Sequence, residues 1–214
     1  ERPEIQVNNE FFQYIHDLST KNVKENPELK GILESYDLPY KLKSNPQNTL
    51  IVGSGTGNDV AAALRNGSEN IDAVEIDPAI LEFGRLLHPE SPYKSKKVNI
   101  IVEDARAYIR YSNKKYDLIV YGLLDSHSLL SGNSGGIRLD SYVYTVEAFK
   151  EARSLLRPNG IISLNFLTFN EPMRRKIFLM LKTAFDGKDP LVFMENIFIA
   201  GDNLNTIDLS RKNL

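Results

Sequence analysis

Apolar residues along this chain fall into two alternating rhythms from Thr49 onward: short unbroken runs, and longer stripes at helical spacing. The stretches "TLIVG", "DAVEID", "VNIIVED" and "YDLIVYG" are apolar runs of strand length. Near-continuous apolar strands are those buried on both faces, as in a parallel sheet. Between them, "GNDVAAALRN", "PAILEFGRLL" and "ARAYIRYS" read as helices, with Pro78 at a favourable first-turn position. Beyond a loop rich in glycine and serine, "YTVEAFKEARSLL" reads as a helix, "RPNG" as a turn and "IISLNF" as a strand. "EPMRRKIFLMLKTAF" is then a helix, and "LVFMENIFIAG" supplies one or two closing strands. The alternation predicts an α/β fold with a doubly wound, mostly parallel sheet. Ahead of it, "EFFQYIHDL" puts Phe11, Ile15 and Leu18 at helical spacing and predicts an amphipathic helix. Lys21 to Asn48, punctuated by Pro27, Pro39 and Pro46, predicts a short helix with connectors. The expected organisation is a short helical N-terminal extension over 1–47, the doubly wound domain over 48–201 and a polar tail over 202–214.

Bulk properties narrow the function classes. A length of 214 residues suits one domain with its own core. A net charge of −2 lacks the basic surplus of a nucleic-acid binder. The chain has no cysteine, which removes disulfide frameworks, thiolate zinc sites and cysteine nucleophiles, and fits a reducing compartment. No apolar run is long enough to cross a bilayer, and no signal-peptide pattern is visible. The expected location is cytoplasmic. The chain opens on Glu1 rather than a methionine, which leaves open a longer parent protein with a membrane portion elsewhere in it.

In doubly wound folds, ligands bind beyond the carboxyl ends of the strands, so four short stretches carry the chemistry. The first contains Gly53, Gly55 and Gly57, where backbone can approach a ligand and a helix start presents free N–H groups. A dinucleotide fingerprint would need Gly or Ala at 58, where this chain has Asn58, and a phosphate loop would need a lysine. The second stretch, "AVEID", offers Glu75 to ribose hydroxyls, eighteen residues after Gly57 against an expected interval of about twenty. Asp77, just before Pro78, suits a helix N-cap better. In the third, Asp104 is placed to accept from an adenine amino group and the Ala105 amide to donate to a ring nitrogen, with an N-cap role for Asp104 alongside. The fourth runs from Tyr121 to Ser128.

In this order, "LIVGSGTGNDV", "VEIDP", "EDAR" and "YDLIV" resemble the class I S-adenosylmethionine-dependent transferases. Over roughly residues 48–166 the chain is similar, more narrowly, to the spermidine synthase family of aminopropyltransferases. "YDLIVYGLLDS" resembles that family's D-S-S-D-P-type loop, and "YTVEAF…LLRPNG" its following helix and turn. The resemblance implies a Rossmann-like class I methyltransferase fold and a cofactor that is S-adenosylmethionine or its decarboxylated form, with no metal. It implies aminopropyl transfer to a small polyamine-like amine and leaves a homodimer open, while the charge balance speaks against nucleic acid as a partner. Asp125 then matches the aspartate that helps deprotonate the attacking amine, as an amine protonated at neutral pH must lose a proton before it attacks. His127, two residues on, is a second candidate base. Two departures stand out: Thr56 and Gly122 occupy positions where the family carries aspartates that hold amine groups. They keep a methyltransferase on an unknown acceptor, or a non-catalytic nucleoside-binding domain, as alternatives. The family's N-terminal β-domain also has no counterpart in a helical extension. His16 and His88 read as structural, as do Arg174, Arg175 and Lys176 on a solvated helix face.

Overall fold

The computed structural model describes residues 4–7, 10–122, 142–165 and 171–206. Its centre is a seven-stranded sheet built from β3 (Asn48–Val52), β4 (Asn70–Glu75), β5 (Val98–Val102), β6 (Tyr116–Tyr121), β7 (Leu156–Asn165), β8 (Leu191–Phe193) and β9 (Ile197–Gly201). The spatial order is β5-β4-β3-β6-β7-β9-β8. β3 to β7 run parallel, and β9 is antiparallel to both of its neighbours. Chain order reverses between β3 and β6, so the crevice at their carboxyl ends is the switch point of a Rossmann-like sheet.

The apolar runs explain this placement residue by residue. Leu50 and Val52 of β3 enter one core cluster with Ile119 and Tyr121 of β6, whereas Ile51, Leu118 and Val120 enter the other. Successive side chains of a strand point to opposite faces, so both faces must be covered. α3 (Asn58–Arg65) contributes to one face, as does α2 (Lys30–Leu42). α6 (Val146–Ser154) and α7 (Glu171–Ala184) cover the other. α4 (Pro78–Leu87) and α5 (Ala105–Tyr111) complete the alternation. The "RPNG" stretch lies inside β7 rather than ahead of it. Its turn character survives as a register shift opposite Tyr116 and Leu118 and a positive φ at Asn159.

The N-terminal expectation needs correction. Residues 10–18 form no helix: β1 (Glu4–Val7) and β2 (Glu10–Tyr14) make an antiparallel hairpin. Helical content begins at α1 (Thr20–Glu25) and continues in α2. The i, i+4, i+7 spacing of Phe11, Ile15 and Leu18 is coincidental. Phe11 lies in the strand, and Ile15 and Leu18 are buried in the irregular segment after it. "EFFQY" is rich in aromatic residues, which favour strands.

Among the described residues, no helix is long and apolar enough to cross a membrane. Among the same residues, no three histidine or acidic side chains gather as a metal-holding group.

Candidate active site

The turn after β3 takes its shape from three glycines in the left-handed region, with φ of 70° at Gly53, 53° at Gly55 and 105° at Gly57. L-residues resist such values. A side chain at Gly57 would also run into the Pro92 ring, 2.7 Å from where its Cβ would stand. The strand ends are tied in line by main-chain bonds. Gly53 and Ser54 donate to the Val74 carbonyl, Glu103 to that of Glu75, and Gly122 to that of Val52. Gly53, Glu75, Asp104 and Gly122 therefore sit side by side along one edge of the sheet.

Glu75 is the centre of this arrangement. It is 6 % exposed, and its Oε2 accepts the Gly55 N–H at 2.8 Å. Its Oε1 accepts the N–H groups of Ile76 (2.8 Å) and Asp77 (3.0 Å). Burial raises the carboxyl pKa, against the three N–H bonds that favour the ionised form. A carboxylate has about four acceptor positions, so one remains open, on Oε2. The main chain uses the rest to brace the glycine turn.

Asp77 and Asp104 are both helix N-caps. Asp77 accepts the Ala79 N–H at 2.8 Å. Asp104 Oδ1 accepts the Ala107 N–H at 2.8 Å, and its Oδ2 makes no hydrogen bond among the described residues. Asp104 is half-buried beside Ala105 at the end of β5, where an exocyclic amine could reach its carboxylate. His88 ends α4: it is buried, its Nδ1 accepts the Glu90 N–H at 3.2 Å, and burial lowers its pKa to about 4. Asp125 and His127 lie outside the described residues.

Two site residues escape a sequence reading because a helix was expected where the hairpin stands. Gln13 Oε1 accepts both the main-chain N–H (3.2 Å) and the hydroxyl (2.8 Å) of Thr56. Asn58, the residue that spoils a dinucleotide fingerprint, uses its amide to accept from the His16 N–H (3.0 Å) and donate to the Tyr14 carbonyl (2.8 Å). The hairpin end is thus clipped to the glycine turn and walls one side of it. The polar residues Thr56 and Asn58, interleaved with glycines, were the available signal.

A third brace is steric. Gly84 of α4 packs so closely on the turn that a Cβ there would stand 2.4 Å from the Thr56 carbonyl oxygen. Tyr93 reaches in beside it, its hydroxyl 2.7 Å from the Gly55 carbonyl oxygen and 3.0 Å from Ser54 Oγ. In an open helix Gly→Ala stabilises by about 0.5–1 kcal/mol. Gly84→Ala is expected to have the opposite sign, losing about 1–3 kcal/mol in a denaturant titration because main chain must shift.

Comparison with known proteins gives the family and the fold. Residues 36–184 match the family model described as the spermine/spermidine synthase domain. Among curated relatives, the polyamine aminopropyltransferase of Thermoplasma volcanium is 28 % identical over 65 % of this chain and 49 % of its own length. That of Methanocaldococcus jannaschii is 33 % identical over 58 % of this chain and 40 % of its own. The chain thus spans about half, or less, of the length of the curated relatives it matches. In fold it is similar to spermidine synthase from Thermotoga maritima, with a TM-score of 0.61 and 15 % identity, covering 85 % of this chain and 65 % of that one. It is also similar to human methyltransferase-like protein 13, with a TM-score of 0.59 and 22 % identity, covering 87 % and 85 %. The matched segment contains every braced strand end described above, and the chain belongs to the spermine/spermidine synthase domain family.

Proposed function

We propose that the protein binds decarboxylated S-adenosylmethionine at the strand ends and transfers its aminopropyl group to a small amine of polyamine type. The observation that carries this reading is the glycine turn braced by Glu75, with open acceptors on Glu75 Oε2 and Asp104 Oδ2 at neighbouring strand ends. In this reading Glu75 Oε2 takes a ribose hydroxyl and Asp104 Oδ2 the adenine amine, and Asn58 is engaged with the hairpin rather than facing a dinucleotide pyrophosphate. Family membership and relatives named polyamine aminopropyltransferase support the transfer chemistry. So does the fold similarity to a spermidine synthase solved with the transition state analogue AdoDATO.

In this reading the acceptor nitrogen forms a bond to the carbon beside the sulfonium. The carbon–sulfur bond breaks with its electron pair going to sulfur, which leaves as a neutral thioether. The protein's part is mostly position and field. Glu75 fixes the ribose and keeps the glycine turn in shape, and Asp104 with Ala105 orients the base. Asp125 takes the proton the amine must lose, with His127, two residues on in the sequence, as the second candidate base.

Methyl transfer is the second reading. It is favoured because Thr56 is occupied with Gln13 and Gly122 carries no side chain, so neither offers a carboxylate to an acceptor amine. Product analysis separates the two, an added aminopropyl group against an added methyl.

The test is calorimetric titration with S-adenosylmethionine, its decarboxylated form and methylthioadenosine, on the wild type and on Asp104→Ala. We expect the decarboxylated form to bind most tightly, and Asp104→Ala to weaken all three by about tenfold or more, the value of a hydrogen bond to a charged group. The variant also loses an N-cap worth about 1 kcal/mol, so titrations belong well below its melting point. Binding of none of the three by the wild type overturns the reading. Preference for S-adenosylmethionine itself moves it to methyl transfer.

A further inference from the structure

Asp59, the second residue of α3, is 9 % exposed, yet no other residue donates to its carboxylate among the described residues; its own main-chain N–H is the donor it has. Its place is the switch point. A Cβ at Gly122 would stand 3.0 Å from Asp59 Oδ2 and 2.8 Å from the Gly53 carbonyl oxygen. The carboxylate therefore borders the crevice between the ends of β3 and β6, beside a position where this chain has no side chain.

Among the described residues, the one cation in its field is Arg65, which makes no hydrogen bond to it. Arg65, on the same helix, is held by Glu90 at 2.7 and 2.8 Å and approaches Asp37 at 3.5 Å. Tyr36 and Tyr40 of α2, and Tyr93, lie within its field, and the Tyr40 hydroxyl is itself buried with no hydrogen-bond partner among the described residues. The three atoms nearest that open position are all acceptors: the Gly53 and Val52 carbonyl oxygens and Asp59 Oδ2. The complement of such a surface is a cation or a strong donor. A carboxylate in the first turn of a helix can serve the helix dipole from the surface, so that role leaves unexplained a buried carboxylate whose nearest cation, Arg65, is paired elsewhere.

We propose that Asp59 is the binding carboxylate that holds the positive charge of the aminopropyl-bearing sulfonium nucleoside in the switch-point crevice. This rests on the nucleoside reading above and deepens it. It also accounts for Thr56 and Gly122. A carboxylate reaches the space beside position 122 from α3, where the family pattern brings one from the end of β6.

The test compares two probes on the full chain: decarboxylated S-adenosylmethionine, which is cationic, and methylthioadenosine, the neutral nucleoside. In Asp59→Asn, the cationic probe is expected to bind about 10- to 100-fold more weakly, with methylthioadenosine unchanged within about threefold. No change for either probe overturns the role of Asp59 and leaves the nucleoside reading standing. Equal weakening of both makes Asp59 a support for the glycine turn and also overturns the proposal. Failure of both probes on the wild type removes the nucleoside reading and this inference with it.

A second arm needs no variant. Burial raises the Asp59 pKa to about 7, opposed by Arg65. The facing phenols of Tyr36, Tyr40 and Tyr93 are pushed upward by burial. The ratio of the two affinities cancels Glu75, which both probes meet through ribose. That ratio is expected to fall as pH drops below about 7, by up to about tenfold per unit. A ratio constant between about pH 5.5 and 8 overturns the proposal even if Asp59→Asn does not fold.

Discussion

Replacing Glu75 by alanine is expected to abolish measurable nucleoside binding and to lower the unfolding free energy by about 2–5 kcal/mol. Both effects follow from one carboxylate serving two masters. Its oxygens accept the N–H groups of Gly55, Ile76 and Asp77, and at 6 % exposure water cannot readily take over. Each buried N–H left without an acceptor costs about 1–3 kcal/mol, and partial relaxation of the turn keeps the sum below three times that. Glu75→Gln sharpens the prediction. Its amide oxygen can keep Ile76 and Asp77, while its NH2 then faces the Gly55 N–H, donor against donor. We expect an intermediate loss of stability from Glu75→Gln, and binding weakened by about tenfold or more. Denaturant titration and calorimetry on the same samples check both. An alanine variant as stable as the wild type would show that the turn holds its shape without Glu75.

The double role of Glu75 also marks the limit of what could be read before the fold was in view. The central parallel strands were legible because two-sided burial writes an unbroken apolar run, as in Leu50, Ile51 and Val52. Helix starts were legible where a capping residue announces them, as Asp77 and Pro78 do for α4. Gly53, Gly55 and Gly57 were legible because positive φ leaves few other choices. The hairpin was not, since two helically spaced residues can be buried without a helix, and strand pairing between Glu4–Val7 and Glu10–Tyr14 is not a local property. Losing the hairpin meant losing Gln13 and the purpose of Asn58. Asp59 was invisible for a different reason. An aspartate in a first helical turn is ordinary, and only the packing of Gly122 and Gly53 against it reveals a buried carboxylate with no ion pair among the described residues.

That same burial leads to the second large effect, a variant that is more stable and binds worse. Asp59→Asn is expected to raise the unfolding free energy of the ligand-free protein by about 1–3 kcal/mol at pH 8, with no gain near pH 3.5. The folded-state pKa, raised by burial to about 7 from an ordinary 3.8, fixes the sign. Below 3.8 the carboxyl is protonated in both states and contributes no difference. Between 3.8 and about 7 the unfolded chain has released its proton and the folded chain has not, so wild-type stability falls as pH rises. Above about 7 the loss is complete and flat. A shift of about three units corresponds to about 4 kcal/mol, and the smaller expectation allows for the polar amide that asparagine leaves in the same buried place. Asparagine does not titrate, so the gap between the two proteins should open from pH 4 to pH 7. Urea midpoints across that range measure it. A variant less stable than the wild type at pH 8 would mean that the carboxylate holds the fold together, and the case for a charge kept waiting for a ligand would fail. With saturating decarboxylated S-adenosylmethionine the order should narrow or reverse, because a ligand stabilises in proportion to how tightly it binds the folded state. Stability given up at Asp59 in the free protein would then reappear as affinity, the usual trade at a binding site built around an unpaired charge.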